Sequence, residues 1–286
     1  MTVAAPEYVL TLSCPDTTGI VYHVTGFLFE RGCNIIDSAQ FGDASTGLFF
    51  LRVHFSAPEG FDLPRLQQDF APVAERFRMD AHISDLRVRP RVMLMVSKFG
   101  HCLNDLLFRR ASGQMDIEIP AIVSNHTEFQ PLAHSYRIPY FYLPVAPATK
   151  AEQEAKVLEL IERERIDLVV LARYMQILSP GLCEALKGRA INIHHSFLPS
   201  FKGAKPYAQA HDRGVKLIGA TAHYVTPDLD EGPIIEQDVE RVDHAMTPDT
   251  LAAIGHDVES VVLARAVKWH VERRVLINGH RTVVFR

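Results

Sequence analysis

Cysteine is scarce in this chain and basic runs are missing. The four cysteines, Cys14, Cys33, Cys102 and Cys183, lie far apart and form no Cys-x-x-Cys pair, which leaves neither a disulfide scaffold nor a thiolate zinc site. Buried, reduced thiols are expected instead. No run of five or more Lys or Arg occurs, and a net charge of -4 offers no basic field to a nucleic-acid backbone, so no nucleic-acid partner is expected. The first residues, Met1 to Pro6, lack a basic region leading into a long apolar segment, and no uncharged stretch reaches the roughly 18 residues that crossing a bilayer requires. The expectation is a cytoplasmic protein without a membrane partner. Internal repeats and low-complexity segments are absent as well.

What is present is ordinary globular material. At 286 residues, with 47% hydrophobic and 22% charged, the chain has the apolar content for two domains of roughly 100 to 150 residues. Tyr8-Val9-Leu10-Thr11-Leu12 has strand character, and Cys14 to Gly19 supplies turn residues before a helical stretch to about Arg31, with Ile20, Val24, Phe27 and Leu28 on one face. Asn34 to Phe41 and Leu48 to Phe55 are expected as two strands, Leu63 to Phe77 as a helix and Ala81 to Val88 as a strand. The order β-α-β-β-α-β is that of a split βαβ, ferredoxin-like unit. Charge and proline at Arg87 to Arg91 interrupt the pattern, which divides the chain into residues 1–88 and 89–286.

Beyond that break, Val92-Met93-Leu94-Met95-Val96 and Asp167-Leu168-Val169-Val170-Leu171 are continuous apolar runs, of the kind buried on both faces of a parallel sheet. Lys150 to Arg165 is a helix between them, with Glu152/Lys156 and Glu159/Arg163 at i,i+4, and the alternation predicts βαβ crossovers. A last long helix starts with Thr247 as N-cap and Pro248 at N1, and lines Leu251, Ile254, Val258 and Val261 along one face.

The densest polar cluster is Ile191-Asn192-Ile193-His194-His195-Ser196-Phe197-Leu198-Pro199. On a strand, Asn192 and His194 point to the same face, so an amide and an imidazole are presented together where α/β sheets open their ligand crevices. Such a pair suits a carbonyl oxygen that becomes an oxyanion. A second strand-to-loop stretch, Gly219 to Val225 followed by Thr226-Pro227-Asp228-Leu229-Asp230-Glu231-Gly232, offers Asp228, Asp230 and Glu231 as the carboxylate that orients an imidazolium or takes a proton from water.

Asn192-Ile193-His194 with Leu198-Pro199, Thr221 to Val225, and Asp230-x-Gly232-x-Ile234-Ile235 together resemble the folate-dependent formyltransferase family, from about Arg91 to the end. The resemblance implies a Rossmann-like, mostly parallel α/β domain in which Asn192, His194 and Asp230 are catalytic. Leu171 to Leu178 is similar to the family's pterin-binding segment, which assigns folate contacts to Arg173, Tyr174, Met175, Gln176, Ile177 and Leu178. His195, His223, Val225, Thr226 and Asp228 join them, with His195 and His223 either supporting the catalytic trio or serving as core polar groups. Ribonucleotide transformylases of the family carry a glycine-rich phosphate loop after their first strand. Here that place reads Ser97-Lys98-Phe99-Gly100-His101, with one glycine, so a ribonucleotide acceptor is not expected.

The first 88 residues resemble an ACT domain, through their element order and the turn Asp16-x-x-Gly19-Ile20-Val21. An ACT domain fused ahead of a formyltransferase-like domain, together with the doubled His194-His195, is similar to the formyltetrahydrofolate deformylase family over essentially the whole chain. That resemblance implies hydrolysis of 10-formyltetrahydrofolate to tetrahydrofolate and formate, no tightly bound cofactor, and a homo-oligomer of two or four chains. It also implies glycine or methionine as an effector near Asp16, Gly19, Ile20 and Asn34. Lys98, Lys202, Lys205 or another cation is a candidate for the folate's glutamate tail, and Lys202 and Lys205 equally fit solvated surface charges. Three alternatives carry their own expectations. Formyl transfer to an amine such as glycinamide ribonucleotide needs an acceptor site, and a non-catalytic sensor would not need the Asn, His and Asp set. A metallohydrolase would use His194, His195, His223 and Asp230 on zinc or iron, although their spacing matches no zinc motif and no metal is expected.

Overall fold

The computed structural model describes residues 5–199 and 206–286. Lys202 and Lys205 lie outside the described residues. In chain order the elements are β1 (Glu7–Pro15), α1 (Ile20–Glu30), β2 (Asn34–Asp43), β3 (Leu48–Ser56), α2 (Leu63–Phe77), β4 (Asp80–Asp85), β5 (Arg91–Val96), α3 (His101–Ala111), β6 (Glu118–Ser124), α4 (Gln130–Ser135) and β7 (Tyr140–Tyr142). They continue with α5 (Lys150–Arg163), β8 (Leu168–Leu171), α6 (Pro180–Ala185), β9 (Ala190–His194), α7 (Pro206–Asp212), β10 (Leu217–Tyr224), β11 (Ile234–Arg241), α8 (Pro248–Val271), β12 (Val275–Asn278) and β13 (Arg281–Val284).

Two compact units result. The first holds the residues through Arg89 together with Glu272–Asn278 and Val283–Arg286, and the second holds Pro90–Val271 and Gly279–Thr282. The sequence division assigned all of residues 89–286 to the second domain; the closing segments instead return to the first. The reason is polar as well as apolar: Asn278 donates to Oδ2 of Asp43 at 2.7 Å, and Arg52 reaches the Glu272 carbonyl at 3.2 Å. A local pattern of hydrophobicity carries no trace of such a return.

Within the first unit, all sheet pairs are antiparallel in the order β2-β3-β1-β4, so β1 and β2 run parallel with β3 inserted between them, the split βαβ arrangement. α1 and α2 bury Ile20, Val24, Phe27, Leu28, Leu66, Phe70 and Phe77 against Tyr8, Leu10, Leu12, Leu51 and Val53 of the sheet. Gly19 ends the turn at φ 92°, a conformation that glycine adopts at no steric cost, and α1 has no side-chain cap.

In the second unit the sheet order is β11-β10-β9-β8-β5-β6-β7, with β5, β6, β7, β8 and β9 parallel and β10 antiparallel to both of its neighbours. β5 is followed outward by β6 and β7, and the chain then crosses back to place β8 and β9 on the other side. The carboxyl ends of β5 and β8 therefore border the switch in strand order where α/β sheets form ligand crevices, with β9 next beside β8. Val92 to Val96 and Leu168 to Leu171 are fully buried, as their continuous apolar runs require. α8 is capped by Thr247, whose hydroxyl accepts from the Thr250 amide at 3.2 Å. Its buried stripe is Leu251, Gly255, Glu259, Val262 and Ala266; Ile254, Val258 and Val261, expected on that face, are only half-buried. Cys14, Cys102 and Cys183 are buried and Cys33 is half-buried, all as free thiols. Among the described residues no helix is long and apolar enough to cross a membrane.

Candidate active site

Strand register builds the site. β9 and β10 pair so that His223 stands opposite Asn192 and Thr221 opposite His194. All four side chains therefore share one face of the sheet. Nδ1 of His223 can only donate to the Tyr224 carbonyl it meets at 2.9 Å. In the neutral ring Nε2 is then an acceptor, and it takes the Asn192 amide at 3.2 Å. This orients the amide and leaves its second N–H without a partner among the described residues. Thr221, fully buried, donates to the Ser196 carbonyl at 2.9 Å and accepts from the Leu198 amide at 3.0 Å, which fixes the loop that follows His194.

Asp230 arrives from the loop between β10 and β11. Its Oδ2 lies 3.3 Å from Nδ1 of His194 and its Oδ1 lies 3.7 Å from Nε2 of His223. The backbone makes this possible: Asp230 itself has φ 59°, and a Cβ added to Gly232 would meet the Tyr224 carbonyl oxygen at 1.7 Å. Only glycine lets the turn close on β10 there. Burial alone would raise the Asp230 carboxyl, but its contacts, the hydrogen bond with His194 first among them, outweigh burial and hold it well below the ordinary carboxylate range. It is an anion facing two imidazoles.

The consequence for His194 is directional. With Nδ1 turned to the carboxylate, Nε2 is buried and has no hydrogen-bond partner among the described residues. An orphaned buried donor beside the second Asn192 N–H is an arrangement that an incoming oxygen completes. His195, next along the chain, is half-buried. Burial first, then Arg173 and His194, lower it to about 4, so it is neutral at physiological pH.

The sequence named Asn192, His194 and Asp230 as the catalytic set and His223 as a supporting or core polar group; the structure brings His223 into contact with Asn192 and Asp230. The stretch after β8 is more mixed. Arg173 is buried at φ 64°; Tyr174 is buried, accepts from Gln153 at 3.0 Å and is pushed up to about 12 by burial. Leu178 is also buried, Gln176 is half-buried, and Met175 and Ile177 are 51% and 63% exposed. Ser97 ties this loop to the end of β5: its amide donates to the Arg173 carbonyl at 3.1 Å and its hydroxyl accepts from the Met175 amide at 3.0 Å. Val225 is a core residue, Thr226 donates to the Asp228 carbonyl at 2.9 Å, and the Asp228 side chain is exposed. In the first unit Asp16 and Asn34 are exposed, whereas Ile20 is committed to the core.

Sequence reasoning missed Ser97 and a second polar centre on Glu259, fully buried on α8 and in contact with His101, Arg173 and Tyr207. Among the described residues, the group with metal-ligand atoms within 4.8 Å of one another is His101, His256 and Glu259, not His194, His195, His223 and Asp230. Where a phosphate loop would need open glycines, Lys98 and Phe99 are exposed, and a Cβ on Gly100 would run into the Phe129 ring at 2.3 Å.

Residues 90–267 match the family described as Formyl transferase. A formyltetrahydrofolate deformylase of Corynebacterium sp. (strain P-1) is 51% identical over 281 residues, covering 98% of each chain. The crystal structure of a formyltetrahydrofolate deformylase from Burkholderia mallei superposes with a TM-score of 0.95 at 54% identity, over 98% of this chain and all of that one. A glycinamide ribonucleotide transformylase of Symbiobacterium toebii shares 28% identity at a TM-score of 0.65, over 69% of this chain and 95% of its own.

Proposed function

From the membership of this chain in the formyl transferase family, alongside the formyltetrahydrofolate deformylases it matches over nearly its whole length, we infer that it hydrolyses formyltetrahydrofolate. The substrate is the 10-formyl form, and the products are tetrahydrofolate and formate. The observation that carries the assignment of the site is the partnerless, buried Nε2 of His194 beside the Asn192 amide.

In this reading the formyl oxygen takes N–H donors from Asn192 and protonated His194. Asp230, an anion, holds the imidazolium and orients a water for attack on the formyl carbon. The carbonyl π pair becomes the oxyanion, held by both donors while the C–O bond to water forms. Asp230 takes one proton from the attacking water; as the C–N bond breaks, its electron pair stays on the folate nitrogen, which receives that proton, and formate leaves as the second water proton passes to solvent. The folate lies along the 173–178 segment. Phe99 and the crowded Gly100 stand where an amine acceptor's phosphate would need close backbone approach, which favours water as the acceptor.

The test is incubation with 10-formyltetrahydrofolate alone. Release of formate and tetrahydrofolate with no amine present supports hydrolysis. Turnover only when glycinamide ribonucleotide is added, with formyl appearing on the amine, rejects it.

For the first unit the reading is an ACT domain that pairs with a second copy and binds glycine or methionine near Asp16, Gly19 and Asn34. The exposed Asp16 carboxylate, which does not cap α1, is available to an ammonium group, and Ile20 contributes only its backbone. Coupling of this kind is typically worth about 1 to 3 kcal/mol. Titrating glycine and methionine into the wild type and Asp16→Ala enzymes tests it, and equal responses in the two reject the site.

A further inference from the structure

Glu259 is fully buried, outside the Asn192, His194 and Asp230 set, and three separate stretches of chain converge on its carboxylate. Oε2 meets Nε2 of His101, at the start of α3, at 2.8 Å, and lies 3.3 Å from Nε of Arg173, in the loop after β8. Oε1 accepts the hydroxyl of Tyr207, on α7, at 2.5 Å. Burial works to raise the Glu259 carboxyl, but the His101 bond, the Arg173 charge and the Tyr207 bond outweigh it and keep the group ionised. A buried carboxylate and a buried guanidinium each lose most from being left alone.

Arg173 also sits at a constrained point of the chain. It is a non-glycine residue at φ 64°, its carbonyl is held by the Ser97 amide, and Met175 and Ile177 project outward just beyond it. A left-handed residue of this kind persists when its surroundings over-determine it. We infer that Glu259 is a positioning residue for substrate binding: by holding the Arg173 guanidinium it fixes the entry to the 173–178 segment and so sets affinity for the folate. The inference rests on the reading of that segment as the folate contact.

A cation site is the competing use of the same groups. His101, His256 and Glu259 offer ligand atoms within 4.8 Å of one another. Oε2, however, is already shared by His101 and Arg173, and the His101 and His256 rings are stacked 4.2 Å apart at 17°. A divalent ion there would sit beside a guanidinium. The Arg173 guanidinium fills the role.

The experiment uses the full-length protein and its E259Q, R173Q and double variants. It measures Kd for tetrahydrofolate by calorimetry, kcat and KM for 10-formyltetrahydrofolate, the thermal midpoint and metal content. For E259Q, Kd and KM should rise about ten-fold or more with kcat at saturation within about three-fold of wild type. The double variant should bind no worse than the weaker single variant, since both substitutions break one contact. Unchanged Kd with a lowered midpoint and a lowered kcat, the signature of a reduced active fraction, would overturn the inference, as would fully additive losses. Stoichiometric zinc in the purified wild type that E259Q fails to hold would replace it with a metal site. If wild type binds tetrahydrofolate but does not turn over, the hydrolytic reading fails while the Kd comparison still decides the role of Glu259.

Discussion

Replacing Asp230 with Asn keeps the shape of the side chain and removes its charge, which isolates what the carboxylate does for His194. Two unit charges at the observed 3.3 Å attract by about 5 kcal/mol at an effective dielectric of ~20. An asparagine oxygen still accepts from Nδ1, and a neutral hydrogen bond returns about 1 kcal/mol of that. Some 3 to 4 kcal/mol of imidazolium stabilisation is then lost from the transition state, which corresponds to a drop in turnover of about 100 to 1,000-fold. Formate release at saturating 10-formyltetrahydrofolate measures it, and tetrahydrofolate affinity should persist. Turnover within about ten-fold of wild type would show that Asp230 neither holds the imidazolium nor orients water. The same variant has a stability signature. The Asp230 carboxyl lies below its unfolded value, so its contribution is present above about pH 4 and is lost as pH falls further; Asp230→Asn should lack that part of the acid slope.

Asn192→Ala removes one of the two oxyanion donors and should lower kcat by about 100 to 1,000-fold with folate binding retained; near-normal turnover would exclude that role. Gly232→Ala forces a Cβ to within 1.7 Å of the Tyr224 oxygen, so urea unfolding should register a loss of about 3 kcal/mol along with inactivation. His195 is held neutral by burial, with a value of about 4 against an ordinary 6.5, so its contribution is present above pH 6.5 and is lost as pH falls through 4. That amounts to at most about 3 kcal/mol, and His195→Gln should flatten the stability curve over the same window; an unchanged slope would refute it. Dialysis against a chelator should leave activity intact, because the donors that polarise the formyl group are side chains; loss restored by zinc would require a metal mechanism.

The elements read most faithfully were those whose local pattern and tertiary role agree. Val92 to Val96 and Leu168 to Leu171 are apolar without interruption and end up buried on both faces, and α2 runs from Leu63 to Phe77 as its spacing requires. Asn192 and His194 followed from simple alternation along β9. The place of His223 did not, because it depends on the register between β9 and β10, a pairing of residues 31 apart that no local pattern encodes. α8 is the instructive failure. Helical spacing of its apolar residues selected Leu251, Ile254, Val258 and Val261; Leu251 is buried, but beside it the helix buries Gly255 and Glu259 in place of the other three. Both departures have one cause. A Cβ on Gly255 would meet the Tyr207 hydroxyl at 2.1 Å, and that hydroxyl bonds to Glu259 one turn further along. The absent side chain makes room for the ring, and the carboxylate receives its proton donor. A glycine followed four residues later by a glutamate, both in line with Leu251, was therefore a readable signal: it marks where a helix buries a polar partner supplied from elsewhere in the chain.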